Sequence, residues 1–187
     1  MKCQYFTLVG ISPLAVSNSL IWLIRSRPDI NIDKVHFICS MDDPDSNTKG
    51  SYGFHEKVKD SIIEQLNELN LNSRIPNFDD KVILISEANL PESAKIIGNE
   101  LLKIPSDIVI IFDCTAGRKT MTAAAVIANL LLISKFKREI YINYYWLLKY
   151  TRENLRKKAT ELGLDEAEIK LFTHDMIIKS LEEIKPD

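Results

Sequence analysis

Cysteine is scarce in this 187-residue sequence, which contains only Cys3, Cys39 and Cys114. No two of them have the CxxC spacing of a redox or zinc motif. Cys39 and Cys114 lie within apolar, strand-like runs, where a free thiol behaves as a small core residue. The sequence therefore gives no sign of a disulfide framework, and we expect a reduced, cytoplasmic setting. Residues 1–10 have the pattern of a strand, so no leader peptide is expected.

A large excess of charge of one sign is also missing. The chain has 24 Lys and Arg residues against 26 Asp and Glu residues, which gives a formal net charge of -2 at pH 7. Bulk binding to DNA is therefore not expected, and any surface that binds an anion must be local. The apolar stretch Thr122–Ile133 is too short to cross a bilayer, so no membrane association is expected.

Several familiar site motifs are absent. The sequence has neither the G-x-G-x-x-G of a dinucleotide site nor the G-x-x-x-x-G-K-[ST] of a P-loop. The G-x-S-x-G of a serine hydrolase is missing too. The three histidines, His36, His55 and His174, are not spaced as metal ligands relative to one another or to the cysteines. We predict no metal and no cofactor.

What is present is an alternation of apolar strand-like runs with helical periodicities. Five strands are predicted, at Tyr5–Ile11, Lys34–Ser40, Lys81–Ser86, Asp107–Cys114 and Glu139–Trp146. Helices are predicted between them, at Leu14–Ile24, Phe54–Leu69, Pro91–Leu102 and Thr120–Ser134. This order predicts an α/β, Rossmann-like parallel sheet of about five to six strands with helices on both faces. Ligands of such sheets bind at the carboxyl ends of the strands, near a topological switch point.

The pattern changes past Leu147. Lys149–Leu162 and Asp165–Ile184 carry the periodicity of charged amphipathic helices joined at Gly163. We therefore predict two parts: a ligand-binding domain over residues 1–148 and a C-terminal helical appendage over residues 149–187.

The fourth predicted strand runs into the turn Asp113-Cys-Thr-Ala-Gly-Arg-Lys-Thr120, which precedes an Ala-rich helix. A helix N-terminus presents unpaired backbone N–H groups and partial positive charge, so it favours an anion. Gly117 lets the backbone approach a ligand closely. Arg118 can grip a phosphate with two parallel hydrogen bonds, and Lys119 adds a point charge. The alternative is a capped turn with two solvated cations.

A second such turn follows the first strand. Ser12 fits a helix N-cap and Pro13 fits the first helical position. A serine hydroxyl there would either face the same sheet edge as Lys119 or only cap its own helix.

The chain offers two further candidate contacts for a ligand. Tyr144, Tyr145 and Trp146 end the fifth predicted strand at that same edge, where an aromatic ring can stack on a nucleobase. Lys149, Arg152 and Arg156 fall on one predicted helical face. That face is either solvated or forms a basic flap over an anionic ligand.

Together the two turns resemble motifs of the CRISPR-associated Rossmann-fold (CARF) domain family. Val9-Gly-Ile-Ser-Pro13 is similar to the family's vG-x-sP turn, and Asp113–Met121 is similar to its D-x-T-G-G-x-K-x-M loop. The resemblance covers Tyr5 to about Trp146. One departure is Ala116, which stands where the family has its first glycine. An alanine there would be strained if the loop needed a positive φ.

The resemblance implies a cyclic oligoadenylate ligand on the two-fold axis of a homodimer. For a chain without the R-x4–6-H spacing of a HEPN ribonuclease, it implies a standalone ring nuclease. Such an enzyme cleaves cyclic tetra-adenylate into linear di-adenylate with 2′,3′-cyclic phosphate ends and switches off type III CRISPR antiviral signalling. The ligand contacts that it implies are Gly10, Ser12, Pro13, Thr115, Ala116, Gly117, Arg118, Lys119, Met121 and Tyr145.

The same resemblance suggests catalytic roles for four residues. Because the ribose 2′-OH is the nucleophile, the enzyme needs only to orient it and to stabilise developing charge, without a metal. We assign Ser12 to orienting the 2′-OH or the scissile phosphate, and Lys119 to stabilising charge. Tyr144, with Tyr145 as the alternative, would assist positioning. Lys170 from the C-terminal part, with Lys149 as the alternative, would close over the ring.

Two other functions stay open. One is a non-catalytic cyclic oligoadenylate sensor or transcriptional regulator, which would pass a conformational change through the terminal helices. The other is a Rossmann-like nucleotide-binding enzyme unrelated to CRISPR. Binding without cleavage would favour the first, and failure to bind cyclic oligoadenylate would favour the second.

Overall fold

The structure, a computed structural model, describes residues 2–43, 49–163, 165–173 and 175–176. Its strands are β1 (Lys2–Val9), β2 (Asn31–Ser40), β3 (Asn77–Phe78), β4 (Ile83–Ile85), β5 (Val109–Asp113), β6 (Ile140–Leu147) and β7 (Ala167–Phe172). Its α-helices are α1 (Pro13–Ser26), α2 (His55–Glu68), α3 (Leu90–Leu102) and α4 (Lys119–Phe136). Short 3-10 turns lie at Tyr52–Phe54, Asn72–Arg74 and Asn154–Arg156.

All seven strands belong to one sheet. Their order is β3-β2-β1-β5-β6-β7, and β4 also pairs with β2. Every pairing is parallel except that of β7, which runs antiparallel to β6. The chain lays β2, β3 and β4 on one side of β1 and then crosses to β5 on the other side. The topological switch point therefore lies between the carboxyl ends of β1 and β5, where sheets of this kind bind ligands.

Helices cover both faces of the sheet and enclose two apolar cores. On one face α1 and α2 bury side chains such as Leu20 and Ile62 against the sheet. On the other face α3 and α4 do the same with side chains such as Ile97 and Ala125. Because strands covered on both faces must be apolar on both, β5 reads Val-Ile-Ile-Phe-Asp and is buried throughout. The predicted α/β, Rossmann-like architecture is confirmed.

Helix α4 is more apolar than a typical surface helix. By length and composition it is sufficient to cross a membrane, although a core helix of a soluble protein meets the same criteria. The residues of its inner side, Met121, Ala124, Ala125, Ala128 and Leu132, line the core that it shares with α3 and β5. Its position in the fold is therefore that of a core helix.

The C-terminal part differs from its prediction. Residues 167–172 form the edge strand β7, not a helix, and residues 149–163 contain only the short 3-10 turn Asn154–Arg156. The predicted helices at 149–162 and 165–172 are therefore wrong, and positions 177–184 lie outside the described residues. The proposed boundary at residue 148 falls between two paired strands, and the division into two parts stays a prediction.

Candidate functional site

The turns after β1 and β5 touch each other at the switch point. A Cβ atom placed on Gly10 would lie 1.9 Å from the carbonyl oxygen of Ala116 and 3.1 Å from its carbonyl carbon. Only glycine permits this approach, since real Cβ atoms do not come so close to a backbone oxygen. The contact holds the N-termini of α1 and α4 side by side at the carboxyl edge of the sheet.

Ser12 occupies the N-cap position of α1 without acting as a cap. Its backbone is extended (φ -114°, ψ 90°), Pro13 begins the helix, and the Ser12 side chain makes no capping hydrogen bond. Its carbonyl oxygen accepts from Ala15 N. Ser12 is also exposed to solvent, so its hydroxyl is available to a ligand at the N-terminus of α1.

The two cations that begin α4 differ in their surroundings. Arg118 donates from Nη1 to Glu87 Oε1 and from Nη2 to the Lys49 carbonyl, each at 2.8 Å. Its guanidinium therefore ties the β5–α4 turn to the segments after β2 and β4. Lys119 is exposed and makes no ion pair with a residue of the described ranges. Of the two cations predicted to bind phosphate, Lys119 has its ammonium free for it.

The loop backbone is not strained at Ala116. The non-glycine residues with positive φ in the described ranges are Asn70 and Lys137, and none of the glycines there has a positive φ. The departure from the family's glycine at this position therefore costs no backbone strain. Gly117 is required because there is no room for a side chain. A Cβ there would lie 2.4 Å from Leu8 Cδ1 and 2.7 Å from Thr122 Oγ1.

Beneath the turns lies a buried polar network centred on Asp113, whose side chain is 0% exposed. Asp113 Oδ2 accepts from Thr7 Oγ1 at 3.0 Å. Asp113 Oδ1 accepts from Ser19 Oγ at 3.0 Å and from Asn143 Nδ2 at 3.3 Å. It also accepts from the hydroxyl and the backbone N–H of Thr115, at 2.6 and 3.1 Å. The network joins β1, α1, β5 and β6 directly under the candidate site.

Burial sets the protonation of the network. It raises the pKa of the Asp113 carboxyl above its ordinary value of 3.8, and the hydrogen bonds from Thr115, Thr7 and Ser19 oppose that shift. It also raises the pKa of Tyr5 well above 10, with the nearby Asp113 charge adding to the effect. Tyr5 therefore stays a neutral phenol that accepts a hydrogen bond from Asn143 Nδ2 at 3.2 Å.

Three of the predicted ligand contacts turn inward. The Thr115 hydroxyl donates to Asp113 and accepts from Tyr145 N at 3.0 Å, so it positions the loop rather than facing outward. Met121 is 1% exposed and packs in the core. Tyr145 is 7% exposed, and its ring lies 6.1 Å from that of Trp22. Side-chain contact of Met121 with a ligand does not follow from this geometry, whereas Thr115 and Tyr145 still line a cavity beside the turns.

Tyr144 and Lys170 are brought together by the sheet. They are paired in the β6–β7 ladder. Lys170 Nζ lies 2.9 Å from Glu168 Oε1 and 4.6 Å from the centre of the Trp146 ring. Tyr144 is 41% exposed and meets Trp146 edge to face at 6.1 Å. The predicted pair is thus adjacent, although a strand and not a helix presents the lysine.

The predicted helical face of Lys149, Arg152 and Arg156 does not form, because residues 149–163 contain only the short 3-10 turn Asn154–Arg156. Lys149 Nζ pairs with Asp165 at 2.6 Å, and Lys158 Nζ pairs with Glu64 and Glu68 on α2 at 2.9 and 2.7 Å. Asn18 and Gln65 further clamp this segment, since both accept from Ala159 N. Lys158 therefore attaches residues 149–163 to α2, and Asn18 attaches them to α1.

Two cavities flank the joined turns, and one of them is lined by the aromatic residues that the sequence placed at this edge, Tyr144, Tyr145 and Trp146. One, of about 460 Å³, is lined by Ala15, Thr115, Tyr144, Tyr145, Trp146, Leu147, Tyr150 and Leu155. The other, of about 610 Å³, is lined by Ile11, Met41, Asp42, Lys49, Gly50, Tyr52, Gly53, Phe54, Leu84 and Arg118. No group of three or more His, Cys, Asp or Glu residues that could hold a metal ion exists among the described residues. The edge thus combines helix N-termini and a free ammonium with apolar, partly aromatic walls.

Comparison with known proteins supports the fold. No protein-family model matches the sequence, and no curated protein matches it. Among solved structures 38 chains match, including Enterococcus italicus Csm6 bound to cyclic hexa-2′-fluoro-hexa-dAMP, with a TM-score of 0.60 and 11% identity. The match covers 97% of this chain and 43% of the Csm6 chain. At 11% identity this likeness shows a shared fold and nothing finer.

Proposed function

We propose that this chain binds a cyclic oligoadenylate at the joined turns and cleaves it as a ring nuclease. The proposal rests on two groups at adjacent helix N-termini. The Ser12 hydroxyl is exposed and makes no capping hydrogen bond, and the Lys119 ammonium is free of ion pairs with the described residues. Backbone N–H groups and a cation suit phosphate, and a hydroxyl suits a ribose or phosphate oxygen. The Csm6 of similar fold was solved with a cyclic oligoadenylate analogue bound, which supports this ligand class.

In the proposed reaction the ribose 2′-oxygen attacks the neighbouring phosphorus. A new P–O2′ bond forms as the 2′-OH gives up its proton to solvent. The P–O5′ bond breaks and the 5′-oxygen takes up a proton from solvent, so each cut leaves a 2′,3′-cyclic phosphate and a 5′-OH. Ser12 orients the attacking hydroxyl or the phosphate, and Lys119 stabilises the charge that builds on the phosphoryl oxygens. Two cuts in cyclic tetra-adenylate give two linear di-adenylates. Turnover is expected to be slow without a strong general base.

Tyr144 and Lys170 have the supporting part in this proposal. The Lys170 ammonium lies between the Glu168 carboxylate and the Trp146 ring. It has to leave Glu168 to reach a phosphate. We propose that it closes over the bound ring from the β6–β7 ribbon, while Tyr144 helps to position the ribose.

The deciding experiment is incubation of excess protein with cyclic tetra-adenylate in EDTA, followed by chromatography. We expect linear di-adenylate with a 2′,3′-cyclic phosphate, and a rate lower by roughly 100-fold or more in Ser12→Ala and Lys119→Ala. Lys170→Ala should be slower too. Lys135→Ala is the matched control, since it removes an exposed lysine from the opposite end of the same helix and should cleave normally.

The same assay separates the proposal from its alternatives. Tight binding with the ring intact after hours would remove the nuclease and leave a cyclic oligoadenylate sensor. Such a sensor has a candidate route for its signal, because Thr115 links the loop to β6 through Tyr145 N. Absence of binding in calorimetry would remove the ligand class altogether. Cleavage that EDTA abolishes would contradict the metal-independent mechanism.

We also propose that the chain works as a cytoplasmic homodimer, without binding to membranes or bulk DNA. A groove of about 540 Å³ between α3 and α4 is lined mostly by apolar groups. Three of its lining side chains are exposed: Leu131 (58%), Phe136 (50%) and Leu102 (44%). Contiguous apolar surface of this kind favours a protein contact. Because α4 begins at Lys119, parallel packing of two copies of α4 would bring both sets of turns to one end.

Leu131→Glu tests that interface. A charge in the groove is expected to shift the protein from dimer to monomer and raise the dissociation constant at least about tenfold, because an ionised carboxylate would be buried without a partner. Light scattering after gel filtration measures the mass. A wild-type protein that is monomeric with and without the ring would contradict the dimer, and an unchanged dimer in Leu131→Glu would place the contact elsewhere.

A further inference from the structure

We infer that Trp146 and Tyr150 form a stacking site for an adenine base beside the turns after β1 and β5. The two residues would then determine which ring the protein binds. This inference rests on the proposed function. Both residues line the cavity of about 460 Å³, and Thr115 and Ala15 form the wall of this cavity that lies next to the turns. A volume of this size is within the range of small-molecule sites.

Both rings are exposed to solvent, and both line the same cavity beside the turns. Tyr150 is 78% exposed and Trp146 is 49% exposed, whereas the other tryptophan, Trp22, is 2% exposed. Large aromatic side chains that share one exposed cavity mark a contact surface. The indole and the phenol ring each offer a flat face, and base–aromatic stacking needs little else.

The indole is already held in place. Before a ligand binds, Lys170 Nζ lies 4.6 Å from the Trp146 ring centre and 2.9 Å from Glu168 Oε1. The Tyr144 ring braces the indole edge to face. Lys170 does not line the cavity, so the cation does not occupy the space where a base would stack. A pre-oriented ring loses less rotamer entropy when a ligand binds.

The neighbouring turns decide which aromatic ligand fits. The adjacent helix N-termini and the Lys119 ammonium suit phosphate groups, and the cavity suits a flat heterocycle. A ligand that carries both groups a few ångströms apart is a nucleotide. Because a purine offers more stacking surface than a pyrimidine, the site should prefer adenylate over uridylate rings.

Intrinsic fluorescence tests this directly, since the chain has two tryptophans and one of them lies in the cavity. A cyclic tetra-adenylate with fluorine in place of each 2′-OH has no nucleophile and stays intact during titration. We expect it to quench the emission in wild type and in Trp22→Phe, and to leave the emission of Trp146→Phe unchanged. Trp146→Leu, which keeps apolar bulk without an aromatic face, should bind the ring about 5- to 150-fold more weakly.

A second comparison excludes a purely structural effect. Affinities for the adenylate and uridylate rings, measured by calorimetry, should differ in wild type and converge in Trp146→Leu. If wild type binds the adenylate ring while Trp146 emission and the Trp146→Leu affinity stay unchanged, the stacking site is overturned and the proposed function stands. If wild type binds no ring at all, the proposed function itself fails.

Discussion

Gly10→Ala is expected to destabilise the fold and to disable the site at once. The added methyl group would lie 1.9 Å from the Ala116 carbonyl oxygen, which belongs to backbone and cannot rotate away. The turns after β1 and β5 must then separate, at a cost of about 1–3 kcal/mol of unfolding free energy. Because this shifts Ser12 relative to Lys119, cleavage should slow by roughly 100-fold. Denaturant unfolding and the ring-cleavage assay measure the two effects.

Gly98→Ala is the matched control for stability. Gly98 lies inside α3 and lines the groove between α3 and α4, where an added Cβ meets no atom of its own chain within 4 Å. The comparison is made at a protein concentration at which wild type is monomeric. Since alanine is the better helix former, this variant should gain roughly 0.5–1 kcal/mol. If Gly10→Ala were as stable as wild type, the direct contact between the two turns would be wrong. If it lost stability but cleaved normally, the turns would not be the site.

The sequence predicted the position of the site because strand ends follow from local patterns. Apolar runs that stop at Ser12 and at Thr115 mark the carboxyl ends of two strands, and parallel strands bring such ends to one edge. Local patterns could not predict that these two strands are neighbours in the sheet, with the switch point between them. The pairing of β1 with β5 joins residues about 106 positions apart, such as Cys3 and Val109.

Strand β7 shows why the C-terminal prediction failed. Its sequence, Ala-Glu-Ile-Lys-Leu-Phe, alternates apolar and polar residues, which is the period of a half-buried strand. Within the longer charged segment this short alternation was outweighed by helical periodicity. What decides the outcome is the free edge of β6, which offers six register partners to β7. A local sequence pattern does not show that a strand elsewhere in the chain has an unpaired edge.

The contacts that Arg118 and Thr115 make could not be predicted from the sequence either. Composition and spacing marked Arg118 as a phosphate ligand, but its ion pair with Glu87 depends on how the turn after β4 folds against it. Thr115 was predicted to face a ligand, yet its hydroxyl lies between Asp113 and Tyr145 N. Glu87 and Tyr145, the distant partners of these two side chains, lie about 30 positions away in the sequence. Thr115 also donates to Asp113 at the end of its own strand. Lys119 is exposed and has no such partner among the described residues, so phosphate binding by Lys119 stays a prediction.

Asp113→Ala is expected to be the most destabilising single change in the chain. It leaves donors from Thr7, Ser19, Thr115 and Asn143 in a fully buried region without their acceptor. Each unsatisfied buried donor costs about 1–3 kcal/mol, so the total loss should exceed about 3 kcal/mol. Denaturant unfolding measures it. A loss below about 1 kcal/mol would show that the network does not hold the turns.

Asp113→Asn separates the charge of this residue from its shape. The amide keeps an acceptor where Oδ1 lies and places an N–H₂ group against Thr7 Oγ1, a hydroxyl that can turn and accept. Its cost should therefore be about 1 kcal/mol, well below that of alanine. Since the amide does not titrate, it also isolates the effect of the carboxyl proton.

That proton gives the network a pH dependence of definite sign. Burial raises the pKa of Asp113, so the folded protein binds the proton more tightly than the unfolded chain does. The resulting stabilisation is fully present below the unfolded pKa and is lost as pH rises through the folded pKa. Lowering the pH from about 7 to about 4 should therefore raise the unfolding free energy of wild type relative to Asp113→Asn. A difference that falls over this range would mean that the hydrogen bonds to Oδ1 outweigh burial, and that Asp113 stays ionised beneath the turns.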